Sequence, residues 1–126
     1  MRYRKRDKEN AGAERVLFAL VGDYENRKRA AEKAQRAAAH SDDVKQLIEI
    51  EMFMETNRTI DECLAFIEPY LRPYIREDIA NRRGWEKSQA SPYISQHAYF
   101  ARKNEAIEKM LVAFRLILPK NNLKNQ

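Results

Sequence analysis

The sequence predicts an all-α fold, a small bundle of four to five helices, and three observations predict it. Only three Gly and four Pro occur in 126 residues, too few for the turns of a strand-rich chain, whereas Ala, Glu, Lys, Arg and Leu favour helices. Apolar residues recur at three- and four-residue spacing, segment after segment. A chain of this length has room for one modest core, so a single helical domain is expected over 13–118, between a basic arm at 1–12 and a tail at 119–126.

"RYRKRD" reads as a flexible arm because nothing apolar recurs there except Tyr3. The first helix is expected from Ala13, with Val16, Leu17, Leu20 and Tyr24 on its buried face, continuing as the Ala-rich, charge-laced "ENRKRAAEKAQRAAA" and bent or split at Gly22. Ser41, Asp42 and Asp43 are good caps for a second helix, in which Val44, Leu47 and Ile48 run beside acidic Glu51 and Glu55, with Ile50, Phe53 and Met54 widening the apolar side. Thr59 and Glu62 have capping-box spacing, which predicts a third helix from Thr59 with Ile60, Leu64 and Ile67 pointing inward. Pro69 and Pro73 each remove a backbone donor and predict a kink or break. "ANRRGWEKSQASP" reads as a loop around Gly84 that leads, through Ser91 as cap and Pro92 as first helical residue, into a long last helix ended by Pro119.

The net charge of +5 is unevenly distributed. Residues 1–36 hold eleven Lys/Arg against six Asp/Glu, residues 37–71 two against eight, and residues 72–126 eleven against five. Either the basic thirds converge into a footprint for phosphates or the acidic middle neutralises them internally. The lone Cys63 inside "IDECLAFI" fits a core position in a reducing compartment, and no run is apolar enough for a membrane span or a secretory leader, so a soluble cytoplasmic chain is expected. His40 and His97 lack metal-site spacing, and there is no phosphate-cradling Gly-rich loop or nucleophile elbow. The expectation is therefore a non-enzymatic protein without metal or cofactor.

In "YISQHAYFARKNEAIEKMLVAF", about 100° per residue puts Phe100, Ile107, Leu111, Phe114 and Leu118 on a core face, with Met110 at its edge. Ser95, Arg102 and Lys109 recur every seven residues as a polar line, with Tyr99 on its flank and Lys103 near the core boundary. Lys and Arg on such a line suit phosphates, and Ser95, Gln96, His97 or Tyr99 at the helix start suit base edges; a solvated face is the plainer reading. Upstream, Trp85, Tyr93, Tyr99 and Phe100 stand among Arg82, Arg83, Lys87 and Arg102, where aromatics either stack on unpaired bases or close the core.

"EDIANRRGWEKSQ" followed by "YISQHAYFARKNEAIEKMLVAF" resembles the C-terminal end of the ArpU/RinA-type regulators with which phages of Gram-positive bacteria control late genes, whose last helix-turn-helix is similar to that of sigma factors. Asp78, Ile79 and Ala80 match the short first helix, Gly84 and Trp85 the turn, and Ser95, Tyr99, Arg102, Lys103, Glu105, Ala106, Ile107 and Phe114 the final helix, while "GDYENRKRAAEK" is similar to the family's opening helix. About ten residues separate Gly84 from Ser95, where a compact helix-turn-helix has about three or four. The resemblance implies a transcription regulator that binds duplex DNA, and together with the basic line and helix start it leads to the expectation that 72–118 binds through Arg82, Arg83, Lys87, Ser95, Gln96, His97, Tyr99, Arg102, Lys103 and Lys109. Partners expected beside DNA are a second copy through the apolar "LIEIEMFM", and RNA polymerase or another host protein at the acidic middle. The alternative is a helical protein-interaction module, a phage-encoded adaptor or inhibitor of a host protein.

Overall fold

The computed structural model describes residues 10–39, 44–88, 90 and 92–117. Among them there is no strand, and the all-α class stands: α1 is Ala11–Gly22, α2 Tyr24–Ala38, α3 Val44–Phe66 and α4 Gln96–Ala113, with a π-helix at Tyr74–Ile79 between α3 and α4. Short 3-10 turns occupy Pro69–Leu71 and Trp85–Lys87. The arm at 1–9, the caps Ser41, Asp42 and Asp43, Ser91, and Leu118 with the tail lie outside the described residues.

Leu17 and Val21, one turn apart, carry α1 into the core, and Gly22 ends it with a split rather than a bend: α2 restarts at Tyr24. Val16, expected inside, faces outward. From there α2 runs antiparallel along α3. Tyr24 donates its hydroxyl to Asp61, Arg27 Nε donates to Asn57 Oδ1 at 2.8 Å, Asn57 Nδ2 donates to the Tyr24 carbonyl at 3.0 Å, and Gln35 reaches Met54. Burial of the Arg27 guanidinium lowers its pKa, its Nε donating to Asn57 of α3 and its Nη2 to the Leu20 carbonyl of α1.

The predicted helix start at Thr59 is corrected. The α3 helix is continuous over 23 residues, and the Thr59 hydroxyl donates to the Glu55 carbonyl at 2.9 Å, as Thr56 does to Met52 at 3.0 Å. A threonine bonded back to residue i−4 is accommodated inside a helix and caps nothing. The stripe read from that segment holds: Ile60, Leu64 and Ile67 are buried, and so is Cys63, expected at a core position. Pro69 ends α3 as expected, with Glu68 extended before it, and the Arg72 guanidinium supplies donors to the terminal carbonyls of Leu64, Ala65 and Ile67.

The core joins Leu17 and Val21 of α1, the C-terminal half of α3, Leu71, the π-helix and α4. Residues Ala31 and Ile50 are buried outside that cluster, in the α2–α3 hairpin. Two chain reversals share one geometry. Arg83 N donates to Asp78 O at 2.7 Å with Arg82 N to Ile79 O at 3.3 Å, and Leu116 N donates to Leu111 O at 2.8 Å with Arg115 N to Val112 O at 2.9 Å. These are Schellman caps, and each puts an arginine in the left-handed region, Arg82 at φ 56° and Arg115 at φ 61°.

Candidate nucleic-acid interface

The α4 helix starts at Gln96, not at Pro92, because Ser95 is its cap: extended at φ −69° and ψ 159°, it accepts from Ala98 N at 3.1 Å. That spends the Ser95 side chain on the helix itself. The first turn contains no acidic residue, so the positive end of the helix dipole is not neutralised from within α4.

Tyr99, expected on a surface flank, is the largest correction. It is fully buried, its ring tilted against Tyr74 at 5.5 Å and edge-to-face with Phe100 at 5.1 Å, and its hydroxyl donates to Asp78 Oδ2 at 2.8 Å. Ser88 donates to the same oxygen at 2.9 Å, so one buried carboxylate pins the π-helix, the connection at 80–95 and α4 together. Burial, then the hydrogen bond to Asp78, push the Tyr99 phenol far up, and it stays a donor throughout the ordinary pH range. No base edge can reach it.

Three other predicted contacts are already engaged inside the protein. Lys103 donates to the Arg83 carbonyl at 2.9 Å with its ammonium 5.5 Å above the Tyr99 ring. Lys109 donates to both oxygens of Glu68 at 2.5 Å and lies 3.6 Å from Glu105. Arg83 faces Glu77 at 3.9 Å. Arg102 is exposed, with its guanidinium 5.7 Å over the Tyr70 ring, which holds the cation without neutralising it. Arg82, Lys87, Gln96 and His97 are exposed as well.

The ten predicted residues therefore sort by depth. Arg82, Lys87, Gln96, His97 and Arg102 are exposed, while Arg83, Ser95, Tyr99, Lys103 and Lys109 are engaged within the protein. The length of the helix turns toward the core through Tyr99, Ala106, Ile107, Met110 and Leu111. The connection from the π-helix to α4 spans residues 80–95, sixteen positions where a compact helix-turn-helix has about three or four. Of the predicted polar line, Ser95 caps the helix, Lys109 is paired with Glu68 and Arg102 stays exposed.

Among the described residues no group of three or more His, Cys, Asp or Glu is arranged to hold a metal, and no helix is long and apolar enough to cross a membrane. Burial raises the Cys63 thiol, which disfavours a thiolate. Sequence reasoning left one set of cations unassigned, those on α2, whose spacing was readable but whose outward face was not. Comparison with protein-family models, with characterised proteins and with solved structures finds no match to this chain.

Proposed function

We propose that the chain is a non-enzymatic regulator of the ArpU/RinA type that binds duplex DNA end-on at the start of α4. One observation carries the reading. Five members of the predicted set, Arg82, Lys87, Gln96, His97 and Arg102, are exposed, and two of them, Gln96 and His97, form the first turn of α4, the helix end whose dipole attracts anions and which holds no carboxylate. The cations would position the protein on phosphates, and Gln96 and His97 would meet base edges.

A titration of the full chain against labelled duplex at several salt concentrations tests this. Binding is expected to weaken steeply with salt, and Arg82→Ala with Lys87→Ala and Arg102→Ala to reduce the slope by about two to three units. Absence of duplex binding at low salt removes the reading.

The protein-interaction reading has its own support, the exposed apolar face of α3, with Val44, Leu47, Ile48 and Met52 on the surface. Within the regulator it serves as the surface through which two copies associate.

A further inference from the structure

We propose that the outward face of α2 and the groove beside it form a second phosphate-binding surface for the same duplex, an inference that rests on the DNA-binding reading above. Tyr24, Arg27, Ala31 and Ala34 line the side of α2 that is at least partly buried toward α3. At about 100° per residue, Arg29, Lys33 and Arg36 fall opposite them, in one row, and all three are exposed. The row spans about 10.5 Å of helix axis, a length over which one strand of a duplex presents about three phosphates. Ala30 and Ala37 beside the row leave its approach open, and no aromatic or large apolar side chain of α2 faces that way, so the face suits a charged backbone rather than bases.

An ordinary solvated helix would neutralise such a row locally. Glu25 and Glu32 do precede Arg29 and Arg36 by four residues, the spacing of a stabilising pair. Among the described residues, however, neither arginine is in an ion pair; Arg29 Nη2 donates instead to Asn26 Oδ1 at 2.7 Å, and Lys33 has no carboxylate three or four positions away. The row also continues beyond its helix. Lys28 and Arg29 line a groove of about 730 Å³ whose far wall carries Arg76 and Asn81 of the π-helix region. Of the two carboxylates in that groove, Asp61 accepts the Tyr24 hydroxyl at 3.0 Å on both oxygens, leaving Glu25 as the one not so engaged. The groove thus gives a path from Lys28 and Arg29 past Arg76 to Asn81, the residue before Arg82. A backbone following that path would be held along the hairpin while its bases are read at α4.

The test is the salt dependence of the full chain binding a labelled duplex, compared with Arg29→Ala/Lys33→Ala/Arg36→Ala. Alanine is the best helix former, so the helix survives the change, which circular dichroism checks. The triple variant is expected to lose about two to three units of salt slope and bind more weakly, with its preference among duplex sequences unchanged, because phosphates carry no sequence information. Arg29→Lys/Arg36→Lys should keep the slope. A triple variant that binds with the original slope overturns this inference and leaves the α4 reading standing. An original chain that binds no duplex at low salt overturns both.

Discussion

Tyr99 is the residue at which sequence and structure differ most. Centring the core face of α4 on Phe100 and Phe114 puts Tyr99 on a polar flank, whereas the buried arc runs through Tyr99, Ala106 and Met110, a rotation of about half a residue step, roughly 50°. Ile107 and Leu111 were legible because they lie inside either arc. Tyr99 was not, because its burial depends on a partner 21 positions earlier, the Asp78 carboxylate. Tyr99→Phe is expected to cost about 1–2 kcal/mol, since Asp78 keeps only the Ser88 donor while remaining buried. A shift of the urea midpoint at constant slope measures it, and a neutral result would deny the network its role. The two left-handed arginines give the opposite sign. Glycine at a positive φ relieves about 1 kcal/mol of strain, so Arg115→Gly and Arg82→Gly should both stabilise. Only Arg82→Gly is expected to weaken duplex binding, and equal effects of both on binding would count against a role for Arg82.

The elements were legible where a residue physically stops a helix. Gly22 splits α1 from α2, and Pro69 ends α3. The continuity of α3 was not, because a Thr59…Glu62 spacing marks a cap only if the preceding turn is absent, and nothing between 44 and 66 interrupts it. The π-helix has no local signature at all; Ala80 N reaching Ile75 O at 3.1 Å follows from packing. The turn at Pro69–Leu71 is tied to α4 by charge. The Lys109 ammonium, donating to both Glu68 oxygens, holds that carboxyl below its ordinary range, and Glu68 in turn raises Lys109. A depressed carboxyl contributes stability above its unfolded pKa of about 4.3 that is lost as pH falls through the lower folded value. A raised ammonium contributes stability below about 10.4 that is lost as pH rises through the higher folded value. Lys109→Gln should therefore differ from the original chain most between those limits, with the two converging in acid below the Glu68 titration. Both groups are substantially exposed, so the difference is expected to be small and to shrink with salt. Urea midpoints across pH check it, and a difference independent of pH would remove the pair as its cause.

At the scale of the whole molecule the unfinished surface is the N-terminal half of α3. The sequence marked "LIEIEMFM" as more apolar than one small chain can bury, and Val44, Ile48 and Met52 are indeed 66%, 55% and 62% exposed, with Leu47 beside them. What it could not show is which apolar residues α2 covers: Ile50 is buried in the hairpin, and the rest point away. Leu20 of α1 and Phe114 after α4 extend this face, forming a shallow groove with Ile48 and Met52. Glu51 and Glu55 border it, and like charges across a two-fold axis would repel, but Arg58 pairs with Glu55 and lies 3.9 Å from Glu51. Finishing the burial of four half-exposed side chains on each of two copies gains roughly 8 kcal/mol at about 1 kcal/mol each. That falls within the 4–15 kcal/mol or so that association costs, so the free protein should form only a weak dimer. A duplex would strengthen it by holding two copies side by side, because the second contact becomes intramolecular. Sedimentation should show self-association rising with concentration, and duplex binding should be cooperative in protein. Ile48→Glu with Met52→Glu is expected to abolish both while leaving the monomer folded, since neither side chain belongs to the core cluster. The salt slope per bound chain should not change, because no phosphate-facing cation is touched. Cooperativity that survives the double substitution would place the contact between copies elsewhere.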